Sequence, residues 1–102
     1  MRPPDEPMAP LELTYVTAPS CRLCEHGWSV LTDLQGRFAV SVREVDLLSD
    51  EGRHLVATSR VAFPPALFVG EDLLAHGRLS ARALERELAD LGVGSFATDG
   101  QG

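Results

Sequence analysis

The chain alternates between two hydrophobic periods. Residues Leu11–Thr17, LELTYVT, set Leu11, Leu13 and Tyr15 against Glu12 and Thr14, the period of two that marks a half-buried strand. Pro19 and Ser20 then signal a helix start. Over residues 21–35 Leu23, Gly27, Val30, Leu31 and Leu34 follow helical spacing, with Gly36 as the expected stop. Alternation returns over residues 37–46 around Phe38, Val40 and Val42, predicting a second strand. Ser49 and Asp50 are cap candidates for a short helix over residues 49–60. PALFVG (residues 65–70) is a short apolar strand, Glu71 and Asp72 read as a turn, and LLAHG follows as its partner, so FVGEDLL predicts a hairpin. The last element is the clearest. Ser80 caps ARALERELADLG, Ala81, Leu84, Leu88 and Leu91 form one stripe, Arg86 faces Asp90 at i,i+4, and Gly92 ends the helix.

The order β-α-β-α-β-β-α predicts an α/β domain, a four-stranded mixed sheet flanked by helices. The first β-α-β unit calls for parallel strands joined by a right-handed crossover. Residues 11–91 form the expected domain, residues 1–10 a flexible lead-in, and the glycine-rich residues 92–102 a flexible tail in which Phe96 is the residue able to dock. No internal repeat interrupts this order.

Composition narrows the function classes. At 102 residues and 44% hydrophobic, the chain can build one core and is not disordered as a whole. The net charge is −6 and all nine basic residues are scattered arginines, so a nucleic-acid partner is not expected. Absent lysine and abundant Ala, Leu, Val, Gly and Arg point to a G+C-rich bacterial genome. No stretch approaches the ~18 apolar residues of a membrane span, and the proline-rich start MRPPDEPMAP lacks the apolar region of a signal peptide. A cytoplasmic monomer without a membrane partner is the expectation. In that compartment a structural disulfide does not persist.

The two cysteines lie in APSCRLCEHGW, residues 18–28, two residues apart. A bridge between them closes a very small loop and adds little stability by loop entropy, so a structural staple explains the pair poorly. Cys21 falls where the first strand ends and the first helix begins. There, free N–H groups and the positive end of the helix dipole stabilise a thiolate, which lowers the thiol pKa. Cys24 lies one turn deeper, within reach of a mixed disulfide formed at Cys21. The spacing makes Cys21 the nucleophile and Cys24 the resolving thiol, and C-x-x-C in a βαβ unit is a thioredoxin-like redox signature. Arg22 adds positive charge beside Cys21, whereas Glu25 opposes the thiolate. His26 and Glu25 read first as ordinary residues of the helix, and Trp28 as a packing residue.

Over residues 11–91 the chain resembles the glutaredoxin branch of the thioredoxin superfamily. The likeness rests on CRLC after the first strand, on the element order, and on FPPALFVGEDLL. The last is similar to the glutaredoxin sequence of Val-Pro, short apolar strand, glycine, charged pair and second strand. The resemblance implies a thioredoxin-like fold and a cis-proline set against the cysteine pair, where neighbouring backbone pairs with an extended substrate. The match gives that role to Pro65, and a shift of one residue gives it to Pro64. Arg22, Pro64 and Pro65 are therefore the substrate-binding candidates. The activity implied is thiol–disulfide exchange supporting electron transport and cell redox homeostasis. It requires no bound cofactor, and a low-molecular-weight thiol serves as co-substrate. Partners would be a disulfide-containing protein or such a thiol, with a reductase protein as another route of recycling.

The chain also departs from that branch. Arg22-Leu23 stands where Pro-Tyr is usual, and Ala18 where a lysine helps bind the carboxylate of glutathione. AHGRLS replaces the Gly-Gly and Ser-Asp pattern that holds the γ-glutamyl end, although Gly77, Arg78 and Ser80 could still offer a helix N-terminal anion site. Two other classes remain open from the residues alone. One is a metal-binding module using Cys21, Cys24 and His26 with His54 or His76, which lacks a second ligand pair at zinc spacing. The other is a non-catalytic thioredoxin-fold adaptor or redox sensor.

Overall fold

The computed structural model describes residues 10–61 and 63–93. The expected lead-in, apart from Pro10, and the expected tail beyond Val93, including Phe96, lie outside the described residues. The elements run β1 (Leu11–Thr17), α1 (Arg22–Arg37), β2 (Val40–Asp46), α2 (Asp50–Ser59), β3 (Ala66–Val69), β4 (Asp72–His76) and α3 (Ala81–Asp90). They build one four-stranded sheet in the order β2-β1-β3-β4. β1 and β2 are parallel, from Leu11 opposite Val40 to Thr17 opposite Asp46. β3 runs antiparallel to β1, with Val16 opposite Ala66, and β4 antiparallel to β3. This is a mixed α/β sheet of the thioredoxin-like fold.

Alternation along the central strands divides the core into two layers. On one face Leu13 and Tyr15 of β1, Val40 of β2 and Leu67 of β3 meet Leu31 and Leu34 of α1 and Leu84 and Leu88 of α3. On the other, Val16, Val45, Ala66 and Phe68 meet Leu55 of α2 and Val61. Each fully buried leucine contributes on the order of 1.5–3 kcal/mol, so both faces of the two inner strands are committed to packing. At one end of the sheet the register brings the carboxyl ends of β1 and β2 and the start of β3 side by side.

Four local expectations change. α1 runs through Gly36 to Arg37, whose guanidinium holds Asp33 one turn back and Glu85 of α3, both at 2.7 Å. Gly36 has no positive φ and so gives no left-handed stop. Phe38 closes the helix instead, its N–H donating to Leu34 O at 2.8 Å, so continuous strand pairing starts at Val40 rather than at residue 37. Asp72 belongs to β4, and the hairpin turn rests on Gly70 at φ +61. α3 ends at Asp90, which leaves Leu91 half-exposed and off the stripe, and Arg86–Asp90 is absent from the ion pairs among the described residues.

Candidate active site

β1 delivers the chain to the sheet's carboxyl edge at Thr17, and a three-residue loop turns it back into α1. Ser20 stands in the left-handed region at φ 55, so the helix starts one residue later than Pro19 and Ser20 alone imply. Cys21, extended at φ −113 and ψ 105, is the N-cap. Its Sγ accepts the Cys24 N–H at 3.1 Å, and its carbonyl accepts the Glu25 N–H at 3.1 Å. A cap position normally carries an oxygen acceptor. Neutral sulfur is a weak acceptor, and it becomes a strong one on losing its proton, because charge-assisted hydrogen bonds are the strong ones.

Cys21 and Cys24 form a disulfide, with Cα atoms 5.1 Å apart. Their environments differ. Cys21 is partly exposed, whereas Cys24 is only 4% exposed, so Cys21 is the more accessible of the two sulfurs. Arg22 beside it is exposed, Leu23 half-buried and Glu25 exposed.

Beneath the pair, Tyr15 projects from β1 with no exposed surface, and its hydroxyl donates to the Cys24 carbonyl at 2.9 Å. Burial, aided by the charge of Glu44, pushes its pKa up to about 12. The Trp28 ring meets Tyr15 edge-on with centroids 5.3 Å apart, an arrangement aromatic quadrupoles favour. His26 turns to the loop before α3, its Nε2 donating to Leu79 O at 3.3 Å. His54 lies 3.4 Å from Glu71, in the turn at the far end of β3. Among the described residues no group of three or more His, Cys, Asp or Glu side chains is placed to hold a metal ion.

A cleft opens between the end of β1 with its loop and β2. Thr17, Ala18, Pro19, Glu44 and Asp46 line an open cleft of about 410 Å³. Glu44 is held there by the Thr17 hydroxyl, which donates to it at 2.7 Å. No basic residue lines this cleft, and Ala18 contributes none. The Pro64–Pro65 peptide is cis. Pro65 is buried at the start of β3, its carbonyl accepting Gly77 N–H at 2.8 Å, while Phe63 just before it is 59% exposed.

Cys21, Arg22 and Cys24 lie together at the start of α1 and Pro64 and Pro65 just before β3, while Tyr15, Glu44 and Asp46, not among the sequence candidates, lie next to the loop and first turn that carry the cysteines. Glu44 and Asp46 share a face through their spacing of two, a signal present in the sequence. Tyr15 gave none beyond its inward register.

No family model and no curated protein matches the chain. Among solved structures, one described as the structure of a malarial protein superposes with a TM-score of 0.57 at 21% identity, covering 78% of this chain and 93% of that one. Glutaredoxin 1 from Francisella tularensis, complexed with cacodylate, gives a TM-score of 0.49 at 10% identity, covering 78% of this chain and 94% of that one. Among the described residues no helix is long and apolar enough to cross a membrane.

Proposed function

We propose that the chain is a glutaredoxin-like thiol–disulfide oxidoreductase of the thioredoxin superfamily, cycling Cys21 and Cys24 between disulfide and dithiol. One observation carries the reading: the sulfur of Cys21 occupies the N-cap of α1 and accepts the Cys24 N–H at 3.1 Å. That position favours thiolate over thiol. In the reductive direction the Cys21 thiolate attacks one sulfur of a substrate disulfide. A mixed disulfide forms and the first substrate thiolate leaves. Cys24, after losing its proton to solvent, attacks Cys21 Sγ. The Cys21–Cys24 bond forms and the second substrate thiolate leaves. Two electrons pass from the pair to the substrate, and two from an external thiol or a reductase protein restore the dithiol.

Partial exposure of Cys21 and burial of Cys24 support this division of roles. Arg22 would favour the thiolate. Pro64 and the cis Pro65, entering β3 beside the end of β1, would offer backbone to an extended substrate. The cleft beside the loop that leads to Cys21 is lined by Glu44 and Asp46 and by no basic residue. A substrate lying across it would therefore be a neutral or cationic polypeptide disulfide rather than an anionic thiol such as glutathione. Turnover of a protein disulfide and of a glutathione mixed disulfide should be compared directly. Cys21→Ser abolishes both reactions. Cys24→Ser accumulates a mixed disulfide visible by mass spectrometry. Full turnover by Cys21→Ser would refute the mechanism.

A further inference from the structure

Tyr15 is a buried hydroxyl with no part in the exchange steps above, at a position where a phenylalanine would fill nearly the same volume. The side chain is fully enclosed, and the hydroxyl meets the Cys24 carbonyl at 2.9 Å. A helix carbonyl has a second lone pair after its ladder bond, so the contact satisfies a group that would otherwise be costly to bury. The helix makes room for it. At Gly27, one turn beyond Cys24, any Cβ would overlap the Tyr15 hydroxyl and lie 3.1 Å from Leu79 Cδ1. Glycine weakens a helix interior. Two locally unfavourable choices therefore meet at one place, a buried hydroxyl and a mid-helix glycine, directly under the turn that carries the cysteines.

We infer that Tyr15 is a positioning residue of the redox pair: its hydroxyl holds the Cys24 peptide so that the first turn of α1 stays aimed at Cys21 Sγ after the disulfide opens. In the oxidised state the covalent bond itself keeps the two residues together. In the dithiol state that restraint is gone, and the Cys24 N–H must still point at the Cys21 thiolate. The Tyr15 bond involves neither sulfur atom, so opening the disulfide does not itself break it. It acts on the same residue that donates to sulfur, and the following peptide N–H, on Glu25, donates back to the Cys21 carbonyl. Hydrogen bonds linked in this way reinforce one another. The inference rests on the reading of Cys21 and Cys24 as a cycling pair.

Tyr15→Phe removes the hydroxyl and leaves the ring, Trp28 and every neighbouring charge in place: Arg22, Glu25 and His26 on α1, Glu44 and Asp46 across the cleft, and His76 and Arg78 beside Gly77. The expected result in the reduced protein is a higher Cys21 pKa, by about half a unit, giving a roughly threefold slower alkylation below that pKa. The exchange equilibrium with a reference dithiol should shift about threefold toward the Cys21–Cys24 disulfide, because the thiolate state has lost support. A merely structural role would lower thermal stability equally in both oxidation states and leave alkylation and equilibrium unmoved. That outcome in folded Tyr15→Phe overturns the inference.

Gly27→Ala provides an independent arm, since it forces the hydroxyl off the helix. It should raise the Cys21 pKa in the same direction, and adding Tyr15→Phe should recover part of its stability loss by removing the overlap. If Tyr15→Phe does not fold, an unchanged Cys21 pKa in Gly27→Ala overturns the inference by itself. Neither readout needs a substrate. A pair that titrates as described but turns nothing over would defeat the oxidoreductase reading and leave this one standing.

Discussion

The helices α1 and α2 each follow a strand of the parallel pair, and each opens with a side chain that accepts the N–H three residues on. In α1 the acceptor is Cys21 Sγ, at 3.1 Å from Cys24 N; in α2 it is Ser49 Oγ, at 3.0 Å from Gly52 N. Each also sets a glycine in its first turns against the sheet, Gly27 against the Tyr15 hydroxyl and Gly52 against the Asp46 carbonyl. The surrounding charge differs. α2 begins with Asp50 and Glu51, which suit a helix dipole and an oxygen cap. α1 has Arg22 at its first position and no acid before Glu25. The same backbone device is thus built once for stability and once around an atom that caps well only as a thiolate.

The largest effect that can break this comparison is on chemistry. Cys21→Ser restores an oxygen acceptor at the α1 cap. Turnover should vanish, while the stability of the variant in urea should lie within ~1 kcal/mol of the reduced wild type, since serine is a favoured cap. A loss of several kcal/mol would mean that the sulfur holds the fold in a way the α2 cap does not.

The two glycines come next. At Gly52 an added Cβ would run into the Asp46 carbonyl and lie 3.0 Å from Leu47 Cα, all of it backbone. Gly52→Ala should therefore cost ~1–3 kcal/mol as an overpacked site and leave Cys21 alkylation untouched. Comparable slowing of alkylation in this variant would show that distant destabilisation alone perturbs the pair.

The buried phenol adds a third contrast, because α2 has no counterpart to it. The chain contains one tyrosine and no lysine, and in the oxidised protein the cysteines do not titrate. Tyr15 ionises near 10 when unfolded and at about 12 in the fold. A raised pKa for an acid means that the neutral form is the one the fold favours. The stabilisation is complete below pH ~10 and is lost as the pH rises through about 12. Urea midpoints of the oxidised wild type should fall over that window, and those of Tyr15→Phe should stay flat. A parallel fall in the variant would assign the alkaline loss elsewhere.

Element order and the closeness of Cys21 and Cys24 were legible because each has a local signature, period or spacing, whereas the cis Pro64–Pro65 peptide was expected only from the family resemblance. What was not legible depends on contacts between distant residues. Gly36 looks like a stop until Arg37 is seen held by Glu85 of α3 at 2.7 Å. Pro19 and Ser20 read as a helix start until the positive φ of Ser20 leaves the cap to Cys21. Tyr15 and Gly27 are twelve residues apart on different elements, and neither residue by itself announces a hydroxyl lying on a helix.

The smallest predicted effect on stability is the most direct test of what distinguishes the two helix starts. Ser49→Cys places a thiol at the α2 cap in a protein whose own cysteines are paired. If a helix N-terminus alone set the reactivity of Cys21, the new thiol would titrate equally low. Its surroundings argue otherwise. Asp50 and Glu51 lie in the same first turn, and the Ser49 hydroxyl is bonded to Asp46 O at 2.7 Å, an acceptor that opposes a thiolate. The new thiol should therefore titrate near or above the ordinary ~8.5, clearly higher than Cys21 in the reduced wild type. Rates of iodoacetamide alkylation against pH measure both. Equal values would reduce the α1 site to its helix dipole and remove any role for Arg22 and Tyr15; unequal values would locate the difference in the residues around the sulfur.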